Sequence, residues 1–154
     1  MEELQLVVFR LGKEEYGVDI AKVQEIVRVQ EVTHIPQAPA FVEGIVNLRG
    51  NIIPIVDLKK RFNLEGGDVS EKEKRVIVVN VGKQIVGIVV DSVSEIIRIP
   101  RENVEPPPPI VAGIEATYIE GVGKIDKRLI ILLNIEKILT EKEKEELKTL
   151  DYSS

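Results

Sequence analysis

Two long segments of this chain are copies of each other, and that repeat constrains the fold more than any other feature of the sequence. Residues 7–29, VVFRLGKEEYGVDIAKVQEIVRV, align 70 positions downstream with residues 77–99, IVVNVGKQIVGIVVDSVSEIIRI. Gly12 falls on Gly82, Lys13 on Lys83, Gly17 on Gly87, Val23 on Val93, Glu25 on Glu95, Ile26 on Ile96 and Arg28 on Arg98. Further on the offset becomes 77: Phe41-Val42-Glu43-Gly44 lands on Tyr118-Ile119-Glu120-Gly121, and residues 52–58 land on residues 129–135. The extra residues lie around Pro106–Pro109, a polyproline stretch read as a stiff connector. A solenoid needs three or more stacked copies, so two copies of this length mean a duplicated domain.

Each copy reads as short strands. Residues 4–11 and 16–20 are β-branched and aliphatic around a Gly-Lys-Glu-Glu turn, and residues 76–81 and 84–90 repeat that hairpin around Gly82-Lys83. Third strands follow at 25–32 and 95–99, each preceded by residues able to make one helical turn, 20–23 and 91–93. A second hairpin runs over 45–48 and 51–56 across Arg49-Gly50, and its copy over 119–125 and 129–133 across Asp126-Lys127. Pro54 cannot donate to a ladder and predicts an edge or bulge. Thr140 and Glu143 form an S/T-x-x-E capping box, and Leu147 and Leu150 share a face, so a short polar helix closes the chain. The expected class is all-β, with two barrel units in tandem, the first over about 4–62 and the second over about 75–139, and a C-terminal helix over about 140–150. No amphipathic helix separates consecutive strands, which disfavours a parallel α/β fold.

Composition narrows the chemistry. With 44% hydrophobic residues over 154 positions the chain can bury a real core. Its net charge of −5 and six Phe and Tyr residues disfavour nucleic acid as a partner. There is no cysteine and one histidine, His34, so disulfides, thiolate metal sites and Cys/His nucleophiles are excluded. The expectation is no metal, no cofactor and no enzyme activity, with His34 in a surface loop. Asp57 follows an apolar strand as a phosphoacceptor would, yet its copy is Asn134. An N-cap for a short helix over Leu58-Lys59-Lys60-Arg61 explains both residues better. Residues 1–10 lack a signal-peptide pattern and no apolar run reaches bilayer length, which places the protein in the cytoplasm without membrane insertion.

Arg49, at the tip of Asn47-Leu48-Arg49-Gly50-Asn51, is the strongest candidate for recognition. A guanidinium on a rigid hairpin turn presents a planar fork suited to carboxylates and is a favoured interface anchor. The competing reading is a structural ion pair with Glu25 or Glu43.

The strings GIVNLRGNIIPIVDL (44–58), EEYGVDIAKVQEI (14–26) and VGIVVDSVSEII (86–97) resemble the CheW family of chemotaxis coupling proteins, in order and across essentially the whole chain. The resemblance implies two SH3-like five-stranded barrels packed face to face. It also implies two partners, the cytoplasmic tip of chemoreceptors and the regulatory domain of the histidine kinase CheA. By motif, Arg49, Glu25, Val23 and Gly44 are the expected receptor-coupling residues. For the kinase, Ile110 and Val111 just after the prolines are the expected contacts. The resemblance further implies a monomer in isolation, recruited to receptor arrays at the inner face of the membrane.

Overall fold

Apolar runs such as Leu6-Val7-Val8-Phe9 and Val76-Ile77-Val78-Val79 are buried on both faces of their strands, which requires packed layers on either side. The computed structural model describes residues 3–36, 41–62, 64, 72–108, 110–111 and 114–148. The strands are β1 (Glu3–Leu11), β2 (Glu14–Asp19), β3 (Val23–Arg28), β4 (Val42–Leu48), β5 (Asn51–Asp57), β6 (Arg75–Val81), β7 (Gln84–Val90), β8 (Ser92–Pro100), β9 (Val104–Glu105), β10 (Ile110–Val111), β11 (Ile114–Glu115), β12 (Ile119–Ile125) and β13 (Arg128–Leu133). Two short helices, α1 (Leu58–Arg61) and α2 (Glu141–Lys148), complete the described elements, with 3-10 turns between strands.

One sheet has the order β3-β6-β7-β5-β4, the other β8-β1-β2-β13-β12-β9. Both close on themselves in the same way. After β3 the chain returns so that Thr33 exchanges backbone hydrogen bonds with Ile45 of β4, at 2.8 and 2.9 Å. After β8 and the 3-10 turn Arg101–Asn103, β9 pairs with β12 through Val104 and Glu105. With β8 and β9 counted as one strand interrupted by that turn, each sheet closes as a five-stranded barrel, as the resemblance implies.

The barrels are nevertheless cut from the chain differently from the repeat. The expectation of one tandem barrel in 4–62 and another in 75–139 is corrected: those ranges delimit the duplicated sequence, not the barrels. Hairpin β1–β2 joins β13 of the second copy in parallel, Gly17 opposite Leu132, and hairpin β6–β7 joins β5 of the first copy, Gly87 opposite Ile55. One barrel is thus contiguous, built from β3 to β7, while the other is split between β1–β2 and the later strands β8, β9, β12 and β13. The chain crosses between them twice, after β2 and after β7.

Three apolar clusters match this layout. Val46, Ile53, Ile55 and Val78 fill the contiguous barrel, and Leu6, Val8, Ile99 and Ile130 fill the split one. The largest cluster draws Phe9, Tyr16 and Ile131 from one sheet and Val56, Ile77 and Ile88 from the other, so the main core is the seam between barrels. Strands with one face in a barrel and the other in the seam have no polar side, which is why their sequence alternation is imperfect.

Pro54 is neither on an edge strand nor at a bulge, which corrects that expectation, because β5 lies between β7 and β4. Its partner Ile45 directs both its backbone groups to Thr33, so Ile45 and Pro54 form a non-hydrogen-bonded pair. On the other side the ladder with β7 begins only at Ile55. The missing N–H therefore costs no bond. The helical turn expected at 20–23 is the 3-10 turn Ile20–Lys22, whose N-cap Asp19 accepts from the Ala21 N–H at 2.9 Å. No turn forms at 91–93, since Val89 stands where Asp19 does and β8 starts at Ser92.

Helix α2 has the expected box: the Thr140 hydroxyl accepts from the Glu143 N–H at 3.1 Å and the Glu143 carboxylate accepts from the Thr140 N–H at 2.8 Å. Arg61 holds this helix by two bonds to Glu143, at 3.0 and 2.6 Å. Leu150 and Pro109 lie outside the described residues.

Within the seam, Tyr16 stacks on Phe9 with centroids 5.9 Å apart. Its buried hydroxyl has no hydrogen-bond partner among the described residues. Burial pushes its pKa up to about 12, with Glu14 adding to the rise. Removing an unsatisfied buried hydroxyl relieves a desolvation cost. Tyr16→Phe is expected to raise stability by about 1 kcal/mol, or roughly 2–4 °C in Tm for this size. Because the folded pKa is raised, the phenol's contribution is intact below about pH 10 and is lost as pH climbs toward the folded value. The variant should lack that alkaline loss. Equal alkaline melting curves for the two proteins would contradict this account.

Candidate functional site

The β4–β5 hairpin closes with Leu48 opposite Asn51, leaving Arg49 and Gly50 as a two-residue loop. Both have positive φ, 53° and 88°, the geometry that two-residue hairpin loops demand. The Asn47 side chain accepts from the Gly50 N–H at 2.9 Å and fixes the turn. Asp126, the copy of Arg49, has the same φ of 53°. The duplication kept the turn and changed the side chain it presents.

Arg49 reaches the β3 carboxylate of Glu25, with Nη1 at 2.7 and 2.8 Å from its two oxygens. The two readings from sequence, partner anchor and ion pair with Glu25, are therefore not alternatives. The pair exists, but the arginine side chain is 70% exposed and the glutamate 30%. An exposed pair of this kind contributes about 0–1 kcal/mol to folding, so Arg49 remains available to another surface.

Val23 and Gly44 are placed otherwise. Val23 pairs with Val79 and packs partly buried against the seam core. A bulge at Gln24 then separates it from Glu25. Gly44 is buried where the chain closes the contiguous barrel: a Cβ there would lie 2.4 Å from the Thr33 carbonyl oxygen and 2.6 Å from Val32 Cγ1. Its copy Gly121 meets Glu105 O at 2.8 Å and Val104 Cγ1 at 2.7 Å in the other barrel. Both glycines thus serve barrel closure. Ile110 and Val111 form β10, paired with β11 in a small two-stranded sheet apart from both barrels.

Glu95, the copy of Glu25, also meets an arginine. Arg128 at the start of β13 lies 2.7 Å from Glu95 and 2.6 Å from Glu15. Hydrogen bonding to Arg128 holds the Glu15 carboxyl below the usual glutamate range, against the opposing effect of burial. Sequence reasoning did not single out this triad, although a glutamate preserved in both copies was the available signal.

Asp57 is the N-cap expected of it, accepting from the Lys59 and Lys60 N–H groups at 2.9 and 3.3 Å. Asn134 does the same for the Glu136 N–H at 3.1 Å. His34 is exposed, as expected for a loop. No helix among the described residues is long and apolar enough to cross a membrane.

What this arrangement offers is surface: two fused barrels, hairpin tips carrying charged side chains and an apolar seam between the barrels. Known proteins share it. The family model for the CheW-like domain matches residues 5–143. The chain is 43% identical to chemotaxis protein CheW of Treponema pallidum (strain Nichols), covering 97% of this chain and 89% of that protein. Chemotaxis protein CheW of Klebsiella aerogenes is 42% identical, over 90% of this chain and 83% of the relative. Among solved structures, the scaffolding protein TtCheW from Thermoanaerobacter tengcongensis superposes with a TM-score of 0.83 at 41% identity, covering 91% and 90% of the two chains. The duplicated barrels, the Asn-Leu-Arg-Gly hairpin and these matches together make the chain a member of the CheW family of chemotaxis scaffold proteins.

Proposed function

We propose that this scaffold couples chemoreceptor cytoplasmic tips to the histidine kinase CheA, without catalysis of its own and at the inner face of the membrane. The observation that supports this reading best is the exposed Arg49 on a hairpin tip fixed by Asn47 and Gly50. A guanidinium held there adds little to the fold and is pre-positioned for a carboxylate on a partner. Glu25, its present partner, belongs to the same surface, while Val23 and Gly44 act on that surface from beneath it.

Ile110 and Val111 are proposed as kinase contacts because they belong to a two-stranded sheet, β10–β11, that is not part of either barrel's ladder. Signalling then consists of favouring one assembly state over another through interfaces whose geometry differs between states. Each contact need bury only about 1,200 Å² or less, since an array binds each copy at several points at once.

Pull-down of the purified chain with CheA and, separately, with a receptor cytoplasmic fragment tests the reading. Retention of both is the expected result, and joint retention should exceed either alone. Failure to retain either partner at tens of micromolar would overturn it.

A further inference from the structure

The two places where the chain crosses between barrels are built to one plan with the charges exchanged. After β7, Asp91 accepts from the Gly12 N–H of the β1–β2 turn at 2.8 Å and meets Lys59 of α1 at 3.3 Å. After β2, Lys22 meets Glu136 at 3.2 Å, and Glu136 accepts from the Gly82 N–H of the β6–β7 turn at 2.7 Å. Gly12 and Gly82 are copies, as are Lys59 and Glu136. Each clamp therefore ties a crossing to the turn of one barrel and to the end of the last hairpin strand of the other, with acid and base swapped.

The clamps are unequal in strength. The Asp91 side chain is 5% exposed and Lys59 24%, whereas Glu136 is 37% and Lys22 45% exposed. Water and salt screen the second pair far more than the first. The crossings differ in backbone bonding too. Asp91 N–H donates to the Arg10 carbonyl of β1 at 3.0 Å, a bond that runs out of its own segment. At the other crossing the Ala21 N–H is spent locally on Asp19. Between the clamps, Arg61 Nε donates to the carbonyl of its own copy, Ile138, at 2.9 Å, which ties the middle of the seam. On the weaker side a further bridge runs from Gln84 Nε2 to the Lys144 carbonyl at 2.9 Å, and it reaches only the peripheral helix α2.

We infer that the seam is hinged at Asp91 and yields at Glu136, so that the barrels rotate slightly about the buried clamp while the exposed one opens and closes. The large apolar seam keeps this rotation small. A scaffold that passes on a change of partner geometry needs such a compliant joint, and that use of it rests on the coupling reading above.

The repeat supplies matched reporters. Lys13 and Lys60 flank the Asp91 clamp, and their copies Lys83 and Lys137 flank the Glu136 clamp; all four are exposed. Nitroxide labels on cysteines at 13 and 60 in one protein, and at 83 and 137 in another, report the two ends separately. On going from about 0.1 M to about 1 M salt, where the screening length falls from about 10 to 3 Å, the 83/137 distance distribution is expected to widen while 13/60 keeps its width. Glu136→Gln at low salt should reproduce the widening. Equal widening at both ends, widening at 13/60 alone, or no change at either end overturns the inference. Neither kinase nor receptor enters the measurement, so its failure is distinguishable from failure of the coupling reading.

Discussion

Gly44→Ala is expected to lower the stability of the protein by about 3 kcal/mol, the upper part of the usual range for overpacking a filled site. For a chain of this size that is roughly 6–12 °C in Tm. The added methyl would meet the Thr33 carbonyl oxygen at 2.4 Å and Val32 Cγ1 at 2.6 Å. A backbone carbonyl cannot rotate aside as a side chain can. Thr33 is also held there by its two bonds to Ile45, the pair that closes the barrel. Gly121→Ala should behave alike, since Glu105 O and Val104 Cγ1 crowd the corresponding point at 2.8 and 2.7 Å. Thermal melts of both variants settle the matter. Equal losses identify Gly44 as a closure residue whose effect on coupling is indirect. An unchanged melting temperature for Gly44→Ala, joined to weakened receptor binding, would make it a direct contact instead.

Arg49→Glu should have the opposite signature: a fold left nearly intact and a large loss of coupling. Its pair with Glu25 is exposed, so removing it costs about 1 kcal/mol at most, with a further small repulsion from the carboxylate left opposite. An arginine anchor in an interface can be worth about 2 kcal/mol or more, and reversing its sign adds repulsion against the group it met. Receptor-dependent kinase activation is thus expected to fall by more than about 30-fold in effective affinity. The double reversal Glu25→Arg with Arg49→Glu separates two ways this could arise. If Arg49 touches the partner, the double variant stays uncoupled even though its internal pair is rebuilt. Restored activation would show that only the internal pair matters.

Much of this molecule is written locally. The repeat announces a duplicated all-β domain, and the hairpins and caps are specified by a few neighbouring residues. Arg49-Gly50 makes its turn, Asp57 and Asn134 cap the short helical turns after β5 and β13, and Thr140 with Glu143 starts α2. The candidate arginine was legible for the same reason, since its exposure follows from the turn it occupies. The glycine at 44 was legible as important but not in its role, because Val32 and Thr33, which crowd it, come from the far side of the loop before β4.

Which hairpin completes which barrel is not written locally. The segments β1–β2 and β6–β7 are copies, and either has the strand pattern to pair with β5 or with β13. Sequence similarity therefore marks the boundaries of the duplication and leaves the boundaries of the barrels open. The choice is made only in three dimensions, where β1–β2 packs against β13 and β6–β7 against β5, and where a carboxylate, Asp91 within one crossing and Glu136 beside the other, accepts from the turn N–H of Gly12 or Gly82. The same holds for Asp91, an isolated acid in an apolar run. Its meaning depends on Gly12 and Lys59, which periodicity and spacing along the chain do not bring together. Short-range sterics and hydrogen bonds within each copy set the turns and caps; the exchange of hairpins follows from burial across a seam that no single copy contains.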